Sequence, residues 1–161
     1  MRKILFTIAV IQFICVSFNV QAQIGTRFPS ERKVVKDPVT GIDLVFLTSK
    51  QAGDSKIYQT HNQWTADGKW IIFRSDRVRG EAMAVNEENG AIVQVSEGGY
   101  IGMLNVARNS MKLYFMRYPR DRELERGSIE IVEVDLEKLF ADSESGNLKP
   151  ESAYQRICGT T

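Results

Sequence analysis

His61-Asn62-Gln63-Trp64-Thr65-Ala66-Asp67-Gly68-Lys69-Trp70-Ile71-Ile72-Phe73-Arg74-Ser75-Asp76-Arg77 is the stretch on which the fold turns. Asp67-Gly68 is turn chemistry: an aspartate can hydrogen-bond the backbone just ahead of it, and glycine adopts positive φ without steric cost. Trp70 to Arg74 is then a short run of β-branched and aromatic residues, the composition of a half-buried strand. A polar exit, Ser75-Asp76-Arg77, closes it. The segment predicts two antiparallel strands joined at Asp67-Gly68.

The same pattern returns 42 residues later. Tyr58 to Arg74 lies over Tyr100 to Met116, so that Tyr58 meets Tyr100, Phe73 meets Phe115, and Asp67-Gly68 meets Asn109-Ser110. Between and around these copies the chain alternates short apolar runs with turn residues. Lys33 to Lys36 and Ile42 to Thr48 flank Asp37-Pro38-Val39-Thr40-Gly41. Ala82 to Val85 and Ala91 to Val95 flank Asn89-Gly90, a strong hairpin signal. Lys112 to Met116 and Ser128 to Val134 follow. Glu133 to Phe140 reads as one short helical turn, because Val134, Leu136 and Leu139 are irregularly spaced for a strand. A period of roughly 40 to 45 residues with about four strands in each is the spacing of β-propeller blades. The expected fold is all-β: about two to three blades spanning residues 23–161, with Trp70 and Ile72, or Ile71 and Phe73, packing between neighbours.

The His61 to Arg77 segment resembles the WD40-like repeat of TolB-type propellers, in which an aromatic, a Ser or Thr and Asp-Gly-Lys precede an apolar strand ending in Ser-Asp-Arg. A wider stretch is similar to the bacterial oligogalacturonate lyases. It runs from Ser30-Glu31-Arg32 and Asp37-Pro38-Val39-Thr40-Gly41, with Leu47-Thr48, through this blade to Arg156-Ile157-Cys158-Gly159-Thr160-Thr161. That resemblance implies a seven-bladed ring and β-elimination on oligogalacturonides in pectin degradation, with a divalent metal such as manganese held by several histidines and a glutamine. One histidine is present in the whole chain. The metal ligands and catalytic base are therefore expected outside it, and no catalytic or metal residue is carried over. The chain is expected to be the first blades of a ring, cut off before closure and inactive alone. Its Lys33 to Thr48 hairpin is expected to lack its blade. The alternative is a non-catalytic TolB-like propeller that binds a periplasmic protein or peptide.

Strand direction alternates within a blade, so Asp67-Gly68 and Asn89-Gly90 share one rim. The opposite rim is expected to collect His61, Arg74, Arg77 to Arg79, and a loop from Arg117 to Gly127 with Arg120, Arg122 and Arg126. Guanidinium groups bind carboxylates through paired hydrogen bonds, which suits a polyuronate. Substrate-binding candidates are His61, Arg74, Arg77 and Arg117. Asp121, Glu123 and Glu125 interleave with the loop arginines, which favours a self-paired, solvated loop at Arg120 to Arg126. His61 aligns with Met103 in the repeat, so blade packing does not demand a histidine there. Ligand contact and a buried or capping role both remain open for it.

The amino terminus reads as an export signal. Arg2 and Lys3 precede the predominantly apolar run Ile4 to Phe18, and Val20-Gln21-Ala22 offers a cleavage site. The run is shorter than the roughly 20 residues that span a bilayer, so no membrane attachment is expected after cleavage at residue 22. The destination is periplasmic or secreted. Loss of Arg2 and Lys3 leaves 19 basic and 20 acidic residues, a balance that argues against nucleic acid as partner. Cys15 leaves with the signal, so Cys158 is expected to stand alone, without an internal disulfide.

Overall fold

A computed structural model describes residues 22–120 and 127–161. Residues 1–21, on which the expected export signal falls, and Arg122 and Arg126 of the rim loop lie outside the described residues. Turn residues cut the described chain into eleven strands and one α-helix, and three antiparallel sheets result.

The first blade is built on β5 (Trp70–Arg74), the strand that follows Asp67-Gly68. It is flanked by β4 (Ser55–Lys56) and β6 (Ala82–Asn86), with β7 (Ile92–Gln94) and β1 (Arg27–Phe28) outside. Between β4 and the turn the inner strand is broken, and Trp64 bridges Ile71. The second blade is a regular meander in the spatial order β11 (Gln155–Thr160), β10 (Glu130–Asp135), β9 (Lys112–Arg117), β8 (Ile101–Val106). The sheets do not close on one another. The described residues thus form two blades, at the lower end of the expected two to three.

Strand positions in the two copies correspond. β5 and β9 are both second strands, and Phe73 and Phe115 occupy matching places. Phe115 and Leu113 face the first blade and meet Trp70, Ile72, Ala84 and Val93 in the main core. Phe73 and Ile71 face the opposite way from Trp70 and Ile72. There they pack with Met83, Val85 and Ile92 under Phe28 and Leu47. Of the two alternative pairs expected between blades, Trp70 and Ile72 meet the second blade, while Ile71 and Phe73 lie beneath the amino-terminal segment.

Glu133 to Phe140 is not one helical turn. β10 continues to Asp135, and a ten-residue helix, α1 (Leu136–Ser145), follows. Asp135 caps it by accepting the Lys138 amide at 3.2 Å, and Gly146, at φ 72°, ends it in the left-handed conformation. Leu136, Leu139, Phe140 and Ser143 recur at helical spacing and are buried. Blades splay outward, and α1 helps fill the wedge between them. Phe140 stacks on Trp70 with ring centroids 4.0 Å apart and planes 10° from parallel, a pair contributing about 1 kcal/mol beyond its buried area. β11 is an edge strand supported on one side only, so its sequence carries little apolar alternation; the sequence reading passed over it.

The hairpin of β2 (Lys33–Lys36) and β3 (Asp43–Phe46) forms a separate two-stranded sheet with every strand residue exposed. Val34, Val35, Leu44, Val45 and Phe46 lie on its two faces. Cys158 is a free, exposed thiol.

Candidate functional site

The two rims separate as strand direction requires. Asp67, Asn89 and Met111 line one recess on the turn side. On the other side Val78, Arg79, Glu81, Glu97, Gly98 and Arg120 line a cleft of about 500 Å³. Its floor is held by Glu81, a buried carboxylate that accepts the Ser96 hydroxyl at 2.6 Å and the Gly98 and Gly99 amides at 3.0 and 2.8 Å. Burial pushes the Glu81 pKa up against those hydrogen bonds. Glu81 thereby fixes the link that leads from β7 into β8.

Arg77 and Arg117 are engaged by carboxylates. Arg77 is 6% exposed at its side chain and pairs with Glu31 at 2.8 Å and with Asp54. It ties the amino-terminal segment to the end of β5. Arg117 pairs with Glu130 at 2.8 Å and Glu151 at 3.0 Å, and donates to the Glu97 carbonyl at 3.2 Å. It locks β9 to β10, to the turn before β11 and to the inter-blade link. Both sites are joints of the fold: all three Arg77 nitrogens, and Nε and Nη1 of Arg117, are held by protein groups. Arg120 pairs with Glu151, from the turn before β11, while Asp121, Glu123 and Glu125 of its own loop lie outside the described residues.

Arg74 and His61 are placed differently. Both reach across the blade junction to the first strand of the second blade. Arg74 Nη2 donates to the Gly102 carbonyl at 3.2 Å, and His61 Nδ1 lies 3.4 Å from the Leu104 carbonyl. β8 is irregular between Ile101 and Asn105, and Gly102 sits at φ 67°, a conformation that side chains other than glycine rarely adopt. Such irregularities re-aim backbone groups. Among the described residues Arg74 has no carboxylate partner, and its Nε is buried without any hydrogen bond. An unpaired buried donor costs about 1–3 kcal/mol. Tyr100 lies within electrostatic reach of Arg74: burial raises its pKa, and the guanidinium works the other way. Tyr58 packs edge-on against His61 at 5.4 Å between ring centroids.

Four candidate residues therefore divide two and two. The partners that occupy Arg77 and Arg117 sit 46, 23, 13 and 34 residues away along the chain, beyond any local pattern. Glu81 and its role in holding the inter-blade link were missed entirely. The only sequence trace is the Gly98-Gly99 pair that needs such a carboxylate. No group of three or more His, Cys, Asp or Glu side chains able to hold a metal ion occurs among the described residues.

Two successive antiparallel sheets related by a 42-residue repeat, with His61 and Arg74 of the first reaching the first strand of the second, define a propeller-type architecture. Solved structures share it. An oligogalacturonate lyase in complex with manganese is 17% identical over 73% of this chain and 30% of its own, with a TM-score of 0.56. An oligogalacturonate lyase from Vibrio parahaemolyticus is 18% identical over 84% of this chain and 31% of its own, with a TM-score of 0.58. The chain spans about a third of the length of these structures. No protein-family model matches the sequence, and no curated protein matches it. At this identity the likeness is one of fold.

Proposed function

We propose that these two blades belong to an exported oligogalacturonate lyase and supply part of its binding surface for an acidic oligosaccharide. The observation that carries the reading is Arg74: a guanidinium at the blade junction, without a carboxylate partner among the described residues, held by one backbone carbonyl. Its Nη1 has no protein hydrogen bond there and can donate to a uronate carboxylate. The similarity to two lyases supports the substrate class. Export rests on the basic start and apolar run of the leader.

The described residues do not fit a metal centre. The manganese of the structural neighbour has no counterpart ligand set in these blades, and no step of the reaction is assigned to them. Their contribution is orientation: Arg74 binds the carboxylate of one sugar unit, and Gly102 and Leu104 hold the two side chains against β8.

Titration of the chain with trigalacturonate tests this. Binding is expected to weaken with added salt, and Arg74→Ala to lower affinity about tenfold to a hundredfold, the range for a hydrogen bond to a charged group. Equal affinity in Arg74→Ala, or no binding of trigalacturonate, would sink the proposal.

A further inference from the structure

The geometry points to a fixed tautomer at His61. The Leu104 carbonyl holds the proton on Nδ1, which makes Nε2 a hydrogen-bond acceptor that reads a sugar hydroxyl. A carbonyl oxygen can only accept a hydrogen bond, so the 3.4 Å contact with Leu104 is a hydrogen bond only in the form that carries the hydrogen on Nδ1. In a neutral imidazole the other nitrogen then carries the lone pair. Nε2 has no protein partner among the described residues and is not one of their buried unpartnered polar atoms.

The neighbouring backbone is arranged for this contact. Gly102 at φ 67° sits inside the irregular stretch of β8 where regular pairing with β9 lapses between Ile101 and Asn105. The carbonyls of Gly102 and Leu104 serve Arg74 and His61 of the other blade instead. Tyr58 fixes the ring from the side. Leu104 and Gly102 are positioning residues: they act through the histidine and the arginine.

The consequence is a division of labour that rests on the oligogalacturonide reading above. Arg74 offers donors and takes the carboxylate. His61 Nε2 offers a lone pair and takes a hydroxyl of the same or the adjoining sugar, since an unprotonated nitrogen has nothing to give a carboxylate. A cation and an acceptor set side by side distinguish a hydroxylated uronate from an anion without hydroxyls.

His61 is the single histidine of the chain, so its ring nitrogens can be read without ambiguity in a ¹⁵N-labelled sample. Long-range ¹H–¹⁵N spectra at about pH 8.5, where a histidine is ordinarily neutral, are expected to show Nδ1 protonated and Nε2 bare. The tautomer ratio should favour Nδ1–H about five- to tenfold more than in a free imidazole, the weight of one ordinary hydrogen bond. Adding trigalacturonate should move the Nε2 resonance and leave Nδ1 protonated, while sulfate should leave Nε2 unmoved. A predominant Nε2–H tautomer in the free protein overturns the inference whatever ligand binds. Trigalacturonate that binds without moving Nε2 overturns the hydroxyl contact. A chain with the Nδ1–H tautomer that binds no galacturonide refutes the substrate reading and the hydroxyl contact together, and upholds the Leu104 lock alone.

Discussion

Replacing Glu31 by glutamine should remove about 3 kcal/mol of stability at neutral pH and almost none in strong acid. The Glu31 side chain is 2% exposed. It accepts the Ser49 and Lys50 amides at 3.0 Å each and the Arg77 guanidinium at 2.8 Å. Burial alone would raise its pKa, yet these bonds and the Arg77 charge outweigh it and hold the pKa at about 2 against an ordinary 4.5. At about 1.4 kcal/mol per pH unit, the difference corresponds to roughly 3 kcal/mol. The folded pKa lies below the unfolded one, so the contribution is fully present above about pH 4.5 and is lost as pH falls towards 2. Glu133 is also held at about 2 and titrates in the same window, which is why the comparison must be between two proteins rather than two pH values. Urea unfolding followed by circular dichroism, on wild type and Glu31→Gln at several pH values, gives the gap directly. It should be about 3 kcal/mol near pH 7 and close progressively below about pH 4.5. A gap that stays constant with pH, or one below about 0.5 kcal/mol at neutrality, would refute the argument that Arg77 serves as a fold clamp.

Trp70→Ala should destabilise by about 3–5 kcal/mol, the range for deleting a large buried aromatic, because it removes both inter-blade core and the Phe140 stack; a thermal melt unchanged from wild type would show that α1 is not part of the core. Val45→Lys, on a fully exposed hairpin strand, should leave the unfolding midpoint within about 0.5 kcal/mol while reducing light scattering on concentration, since it charges an open apolar edge. Unaltered scattering would mean the hairpin is not the adhesive surface.

Sequence alone was enough for the strands that carry the repeat. Asp67-Gly68, Asn89-Gly90 and Asp37 to Gly41 impose reversals by local backbone chemistry, and the 42-residue offset already aligned Phe73 with Phe115, because a repeated hydrophobic pattern must bury its repeated face. The rim division followed from strand alternation for the same reason. Elements with weak local signal were harder. β11 is an edge strand with one supported side, and α1 extends because it has a wedge to fill, which a short apolar pattern after Val134 does not announce.

Only the tertiary structure decided which arginines are available. Arg74, Arg77 and Arg117 are alike in sequence, each at or just beyond the end of a second strand, and nothing local separates them. What separates them is whether the fold brings a carboxylate within about 4 Å. Glu31 and Asp54 reach Arg77, Glu130 and Glu151 reach Arg117, and backbone carbonyls of β8 reach Arg74 and His61. Charge pairing falls off over a few ångströms in space and is indifferent to distance along the chain, so a pattern of residues can nominate a guanidinium but only the folded arrangement shows whether its donors are already taken.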